Sequence, residues 1–95
     1  MAELLTDDQI TEALSHLAGW TAQDASLVRT AELAGFREAI AVVNAVAEVA
    51  ESSDHHPDID IRWNTLTFRC STHSAGGITT LDVSLAQEID RLLDA

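Results

Sequence analysis

The spacing of apolar residues switches between a helical and a strand period along the chain, and the switches mark its elements. Ile10, Leu14 and Leu17 fall on one helical face. Ahead of them Thr6-Asp7-Asp8-Gln9 has the form of a capping box, in which the Thr6 hydroxyl accepts from a first-turn amide while Gln9 reaches back. Asp7 and Asp8 suit the positive end of the helix dipole and Gly19 supplies a stop, so a helix is predicted over about residues 7–18. His16 lies off the apolar stripe and reads as a solvated side chain. Trp20 then opens a short strand as a core or interface anchor. After the polar turn Gln23-Asp24-Ala25-Ser26, a second strand runs from Leu27 to Leu33, with Leu27, Ala31 and Leu33 inward.

Gly35 breaks this strand and Phe36 opens a long helix. Phe36, Ile40, Val43, Ala47 and Ala50 step by four, three, four and three, and Val42, Val46 and Val49 add a second apolar row. A helix apolar on more than one side is expected to touch both the sheet and a second body. Glu51-Ser52-Ser53-Asp54 ends it, and His55-His56-Pro57 leads out in an extended turn, because proline disfavours helical geometry in the residue before it. Ile59, Ile61 and Trp63 alternate with Asp58, Asp60 and Arg62, which predicts a strand with one face in the core, Trp63 included. Asn64-Thr65 turns the chain, and Leu66, Phe68 and Cys70 alternate with Thr67, Arg69 and Ser71 on the return strand. Past the loop Ser74-Ala75-Gly76-Gly77, Thr79 or Thr80 caps a last helix with Asp82 in its first turn and Leu81, Leu85, Ile89 and Leu92 as its buried stripe. The order α-β-β-α-β-β-α over a single domain, residues 1–95, predicts a two-layer α+β fold, a four-stranded antiparallel sheet with three helices on one face.

Composition narrows the function. Sixteen acidic against five basic residues give a formal charge of -11, which argues against nucleic-acid binding and against docking on an anionic membrane. No apolar run is long enough to span a bilayer, and the start of the chain lacks a signal-peptide pattern, so a cytoplasmic protein is expected. Cys70, the lone cysteine, sits in an alternating apolar setting and reads as a core thiol.

Candidate chemistry gathers between Glu51 and Asp82, which hold three of the four histidines: His55, His56 and His73. The hairpin between them returns the chain to the end where it started, so His73 is expected near His55 and His56. Glu51 stands one helical turn before His55, and Asp82 begins the helix after the His73 loop. Imidazole titrates near neutral pH and both gives and takes a proton, which suits general acid–base work on a small molecule. No Ser or Cys stands in a recognisable nucleophile setting. Surface histidines and, less readily, a three-histidine zinc site remain alternative readings of these residues.

The same stretch resembles the signature of the pterin-4a-carbinolamine dehydratases in Glu51, His55-His56-Pro57, Trp63, His73 and Asp82 at the family's spacings. Ser71-Thr72-His73, Asp82-x-x-Leu85-Ala86, Gly19-Trp20 and Phe36 extend the likeness over nearly the whole chain, while Ile59 stands where many members carry an aromatic residue. The resemblance implies a hydro-lyase that converts 4a-hydroxytetrahydropterin to quinonoid dihydropterin in tetrahydropterin recycling, without metal or bound cofactor. It implies His55 and His73 as acid/base groups, with His56 holding the pterin beside them at the catalytic centre. Glu51, Asp54, Pro57, Trp63 and Asp82 are implied in substrate binding, and a homodimer or homotetramer as the assembly. A non-catalytic pterin-binding or protein-assembly module of the same fold is the alternative.

Overall fold

The computed structural model describes residues 2–94. Its elements are α1 (Asp7–Leu14), β1 (Trp20–Gln23), β2 (Ser26–Glu32), α2 (Phe36–Ser53), β3 (Asp58–Arg62), β4 (Thr65–Cys70) and α3 (Thr80–Leu93), the predicted order. The four strands form one antiparallel sheet in the order β1-β2-β4-β3, so the two hairpins lie side by side with β2 against β4. Alternation decides which side is covered. Leu66, Phe68 and Cys70 of β4 are buried, as is Leu27 of β2, whereas Arg69 on the other face is exposed. Ala39, Val46, Leu85, Ala86 and Ile89 close this side from α2 and α3. Each fully buried Phe, Leu or Ile here is worth roughly 1.5–3 kcal/mol. No helix among the described residues is long and apolar enough to cross a membrane.

Local chemistry explains the boundaries, including those that depart from expectation. The Thr6–Gln9 capping box is present in both directions. However, α1 ends at Leu14 rather than near residue 18, and its end is marked by Ser15, whose hydroxyl donates to the Glu12 carbonyl at 2.5 Å. Gly19, at φ +89°, turns the chain into β1 rather than stopping the helix. Trp20 is buried and its indole N–H donates to Asp90 Oδ1 at 2.7 Å, with the Arg29 guanidinium on the same oxygen, so α3 is tied to the first hairpin.

Five positions expected to face inward are exposed: Phe36, Ala47, Ile61, which is 41% exposed on β3, Trp63 and Leu81. Trp63 is not in the core: it is 73% exposed, at φ +53° in the turn that joins β3 to β4. The turn comes one residue earlier than predicted because Asn64 is clamped to the end of β2. Its amide side chain donates to the Leu33 carbonyl at 2.9 Å, and its own carbonyl accepts from the Leu33 amide at 2.8 Å. In α2 the core-facing positions are Ala39, Val46 and Ala50, with Val42, Val43 and Val49 alongside. Phe36, predicted to head the inward stripe, is 55% exposed, and Ala47 is exposed too. In α3 the first-turn residue that points inward is Asp82, with no exposed surface, while Leu81 is 43% exposed.

Candidate active site

The second hairpin does what its pattern predicts. Asp58 at the start of β3 pairs with Arg69 near the end of β4, so the segment entering the hairpin and the segment leaving it share one end of the sheet. Entry begins at the end of α2, where Asp54 takes a left-handed conformation, φ 51° and ψ 41°, and the His55 amide donates back to the Ala50 carbonyl at 3.1 Å. Exit passes through Thr72, paired with Gly77, into the first turn of α3. Thr79 caps that helix and Asp82 answers it, a capping box like the one on α1.

Within this frame His55 and Asp82, 27 positions apart in the chain, meet with His55 Nε2 2.6 Å from Asp82 Oδ1. The pair is shielded: the His55 side chain is 12% exposed and that of Asp82 is fully buried. Asp82 Oδ2 accepts from the Thr72 hydroxyl at 2.8 Å and from the Thr79 amide at 2.9 Å. Two donors and the His55 ring thus converge on the two oxygens of one carboxyl group, which offsets the cost of burying it. A second pair stands in solvent, His56 Nε2 2.5 Å from Glu51 Oε2.

Not every residue singled out from the sequence joins this arrangement. His73 is exposed in the turn after β4, one position from Thr72, and its carbonyl accepts from Gly76 at 3.1 Å. Asp54 is exposed and Pro57 is half-buried. Trp63 lies at the far end of the hairpin, beyond the Arg62–Thr65 pair, whereas the Asp58–Arg69 pair marks the end nearest the site. A cavity of about 470 Å³ between α2 and α3 is lined by His55 and not by His56 or His73. Val49, Leu81 and Leu85 supply apolar wall, and Glu48 and Glu88 place carboxylates on its two sides. Its size is that of a small-molecule site. Among the described residues no three of His, Cys, Asp and Glu are placed to hold a metal ion.

The positions of Thr72, Glu48 and Glu88 are not read from the sequence, although Glu88 and the Thr79 cap of Asp82 carry a local signal. Leu81, Leu85 and Glu88 recur at four and three residues, one face of α3, and Thr79-x-x-Asp82 has capping-box spacing. Cys70, buried on the neighbouring strand, has its thiol pushed from the ordinary 9.0 up to about 12, first by burial and then by the negative charges of Asp82 and Asp58. It is therefore held as the unreactive thiol. Substituting Asp82 by alanine removes the shared partner of Thr72, Thr79 and His55 at once. The expected loss is about 3 kcal/mol of folding free energy, read by urea unfolding, because breaking a buried pair strands its partners. Asp82→Asn, which keeps the shape and an acceptor for Thr72 and Thr79, is expected to lose about 1 kcal/mol. An alanine variant as stable as its parent would show that these groups find other partners.

A shielded imidazole–carboxylate pair thus stands beside an interhelical cavity of small-molecule size on a two-layer α+β fold. The family model described as Pterin 4 alpha carbinolamine dehydratase matches residues 3–92, and the chain belongs to that family. Its relatives include proteins named provisionally as pterin-4-alpha-carbinolamine dehydratases. One from Mycobacterium sp. (strain KMS) is 53% identical over 96% of this chain and 97% of its own length. One from Mycobacteroides abscessus is 58% identical over 92% and 93%. Among solved structures, a transcriptional coactivator/pterin dehydratase from Brucella melitensis superposes with a TM-score of 0.90 at 31% identity, covering 93% of this chain and 96% of its own. A pterin dehydratase-like protein identified as a RuBisCO assembly factor in the alpha-carboxysome shares the fold, with a TM-score of 0.68 at 19% identity over 81% and 92% of the two chains.

Proposed function

We infer that this chain dehydrates a 4a-hydroxytetrahydropterin to the quinonoid dihydropterin, as a cytoplasmic step in the recycling of a tetrahydropterin. The observation that carries this reading is the His55–Asp82 pair, closed at 2.6 Å across a hairpin beside a cavity that His55 lines. The reaction breaks a carbon–oxygen bond and releases water. The departing hydroxyl takes up a proton, the adjacent ring nitrogen gives one up, and its electron pair forms the new carbon–nitrogen double bond. That chemistry needs one group to give a proton and one to take it, and no electron acceptor. His55 and His73 fill those roles in this reading, while His56, paired with Glu51, holds the pterin. Asp82 orients His55, and Asp54, Pro57 and Trp63 remain candidates for substrate contact carried by the family likeness. The direct test follows dehydration of a freshly generated 4a-hydroxytetrahydropterin. Acceleration above the spontaneous rate is expected, and a protein no faster than buffer refutes the enzyme reading.

That second outcome would favour a non-catalytic pterin-binding or protein-assembly module on the fold that the RuBisCO assembly factor shares. Either way the outer stripe of α2, with Phe36 and Ala47 exposed, calls for a cover. We expect a second copy of the chain there, as dimer or tetramer. Sedimentation equilibrium should give more than one chain per particle, and a monomer at micromolar concentration would exclude that assembly.

A further inference from the structure

With Asp82 as a carboxylate, its hydrogen-bond partners fix the direction of each bond around it. The Thr79 amide can only donate, so Asp82 Oδ2, 2.9 Å away, is an acceptor. Thr72 has one hydroxyl proton and gives it to the same oxygen at 2.8 Å. The 2.8 Å contact between the two threonine hydroxyls is then Thr79 donating to Thr72. Thr79 Oγ1 in turn accepts from the Leu81 amide at 3.2 Å. Every bond in this chain has one direction, from the start of α3 through two threonines into Asp82. No buried side-chain nitrogen or oxygen among the described residues lacks a partner. What remains to Asp82 is Oδ1, facing His55 Nε2 at 2.6 Å. A carboxylate can only accept there, which calls for a proton on Nε2; in the neutral ring the lone pair is then on Nδ1.

The geometry points to a division of labour within one ring: Asp82 holds His55 as the Nε2–H tautomer, so that Nδ1 is the atom exchanging a proton with substrate. Thr72 is a positioning residue that acts through Asp82. It is buried and lies outside the lining of the His55 cavity, so it reaches the chemistry only by aiming the carboxylate. The assignment of Nδ1 to proton exchange rests on the dehydratase reading; the tautomer itself does not.

Nitrogen-15 NMR of histidine-labelled protein tests this at alkaline pH, where imidazoles are neutral, with His55 assigned by its absence from His55→Gln. The wild-type ring is expected to carry its proton on Nε2. In Asp82→Asn the Thr72 and Thr79 donors keep the amide oxygen on their side, so the amide NH₂ faces His55. Only an Nε2 without a proton can accept it, and the His55 proton is expected to move to Nδ1. A wild-type ring protonated on Nδ1, or an Asp82→Asn ring still protonated on Nε2, overturns the assignment. For Thr72, solvent exchange of the His55 Nε2–H is expected to quicken at least about 10-fold in Thr72→Val and to return towards the wild-type rate in Thr72→Ser. Equal exchange in wild type and Thr72→Val overturns the positioning role. These readouts need no substrate, so they stand apart from any failure of the dehydratase reading. Where turnover is measured, Thr72→Val is expected to lower kcat about 10-fold with KM within about twofold, as slight misaiming does, and Thr72→Ser to restore it. An equal loss in both variants, or one confined to KM, speaks against positioning.

Discussion

Replacing His55 with alanine is expected to slow dehydration of a 4a-hydroxytetrahydropterin by about 100- to 10,000-fold, the range that one positioned acid or base contributes. The size of the effect follows from how firmly the ring is placed. Its Nε2 is held 2.6 Å from a carboxylate that is itself fixed by Thr72 and the Thr79 amide. A ring held in this way spends little of its time misaligned, so its removal forfeits most of what positioning supplies. His73→Ala is expected to lower the rate about 100-fold, because water loss needs a second proton-transfer group. The His73 ring is exposed, which makes its alignment depend more on bound substrate. Initial rates corrected for the spontaneous reaction check both variants. A His55→Ala protein within about twofold of wild type would remove His55 from the chemistry and leave the buried pair a structural one.

Alkali is expected to strip about 4 kcal/mol from the folded state, and Cys70→Ala to abolish that loss. The thiol is held protonated in the fold, moved from 9.0 up to about 12 by burial and then by Asp82 and Asp58. Below pH 9 both folded and unfolded chains carry the proton, and the stabilisation is whole. Between 9 and about 12 the unfolded chain gives it up while the folded one keeps it, so the unfolded state gains and stability falls with rising pH. The sequence makes this unusually clean. It contains no lysine and no tyrosine, and its five basic residues are all arginines, so no other side chain titrates in that window. For a domain of this size 4 kcal/mol is a large part of the total. Urea unfolding at about pH 8 and about pH 11 measures the slope. Cys70→Ala is expected to be less stable at neutral pH, through lost packing, yet to show a flat profile above pH 9. The same slope in both proteins would place its origin elsewhere.

Most of the architecture was legible because each signal that carries it is local. The Thr6–Gln9 cap, the alternation of Leu66, Phe68 and Cys70, and the proline after His55-His56 need no knowledge of the rest of the chain. The failures have a shared physical origin: they concern which of two locally equivalent choices tertiary packing selects. In α2 both the Phe36 row and the row through Val42, Val46 and Val49 satisfy a helical period, and the sheet selects an inward face that takes Ala50 from the first and Val46 from the second. At Trp63, alternation favoured the core, and the distant Leu33, by capturing Asn64, moved the turn. At the start of α3, hydrophobicity pointed to Leu81, yet the inward position went to Asp82 because Thr72, the Thr79 amide and His55 offer it partners there. The same holds for the site. Its histidines and Asp82 were visible as residue types at suggestive spacings, and the hairpin that joins their ends was visible as a pattern. That Thr72 supports Asp82 is a fact of three dimensions only, whereas the Thr79 contact is announced by capping-box spacing.

The opposite settings of the two tryptophans separate what their light emission reports. Trp20 is 5% exposed with its N–H on Asp90, whereas Trp63 is 73% exposed at a hairpin tip. Trp63 is already in a largely aqueous setting, so any red shift on denaturation comes chiefly from Trp20. The intrinsic fluorescence of this chain is thus a gauge of whether α3 remains seated on the first hairpin.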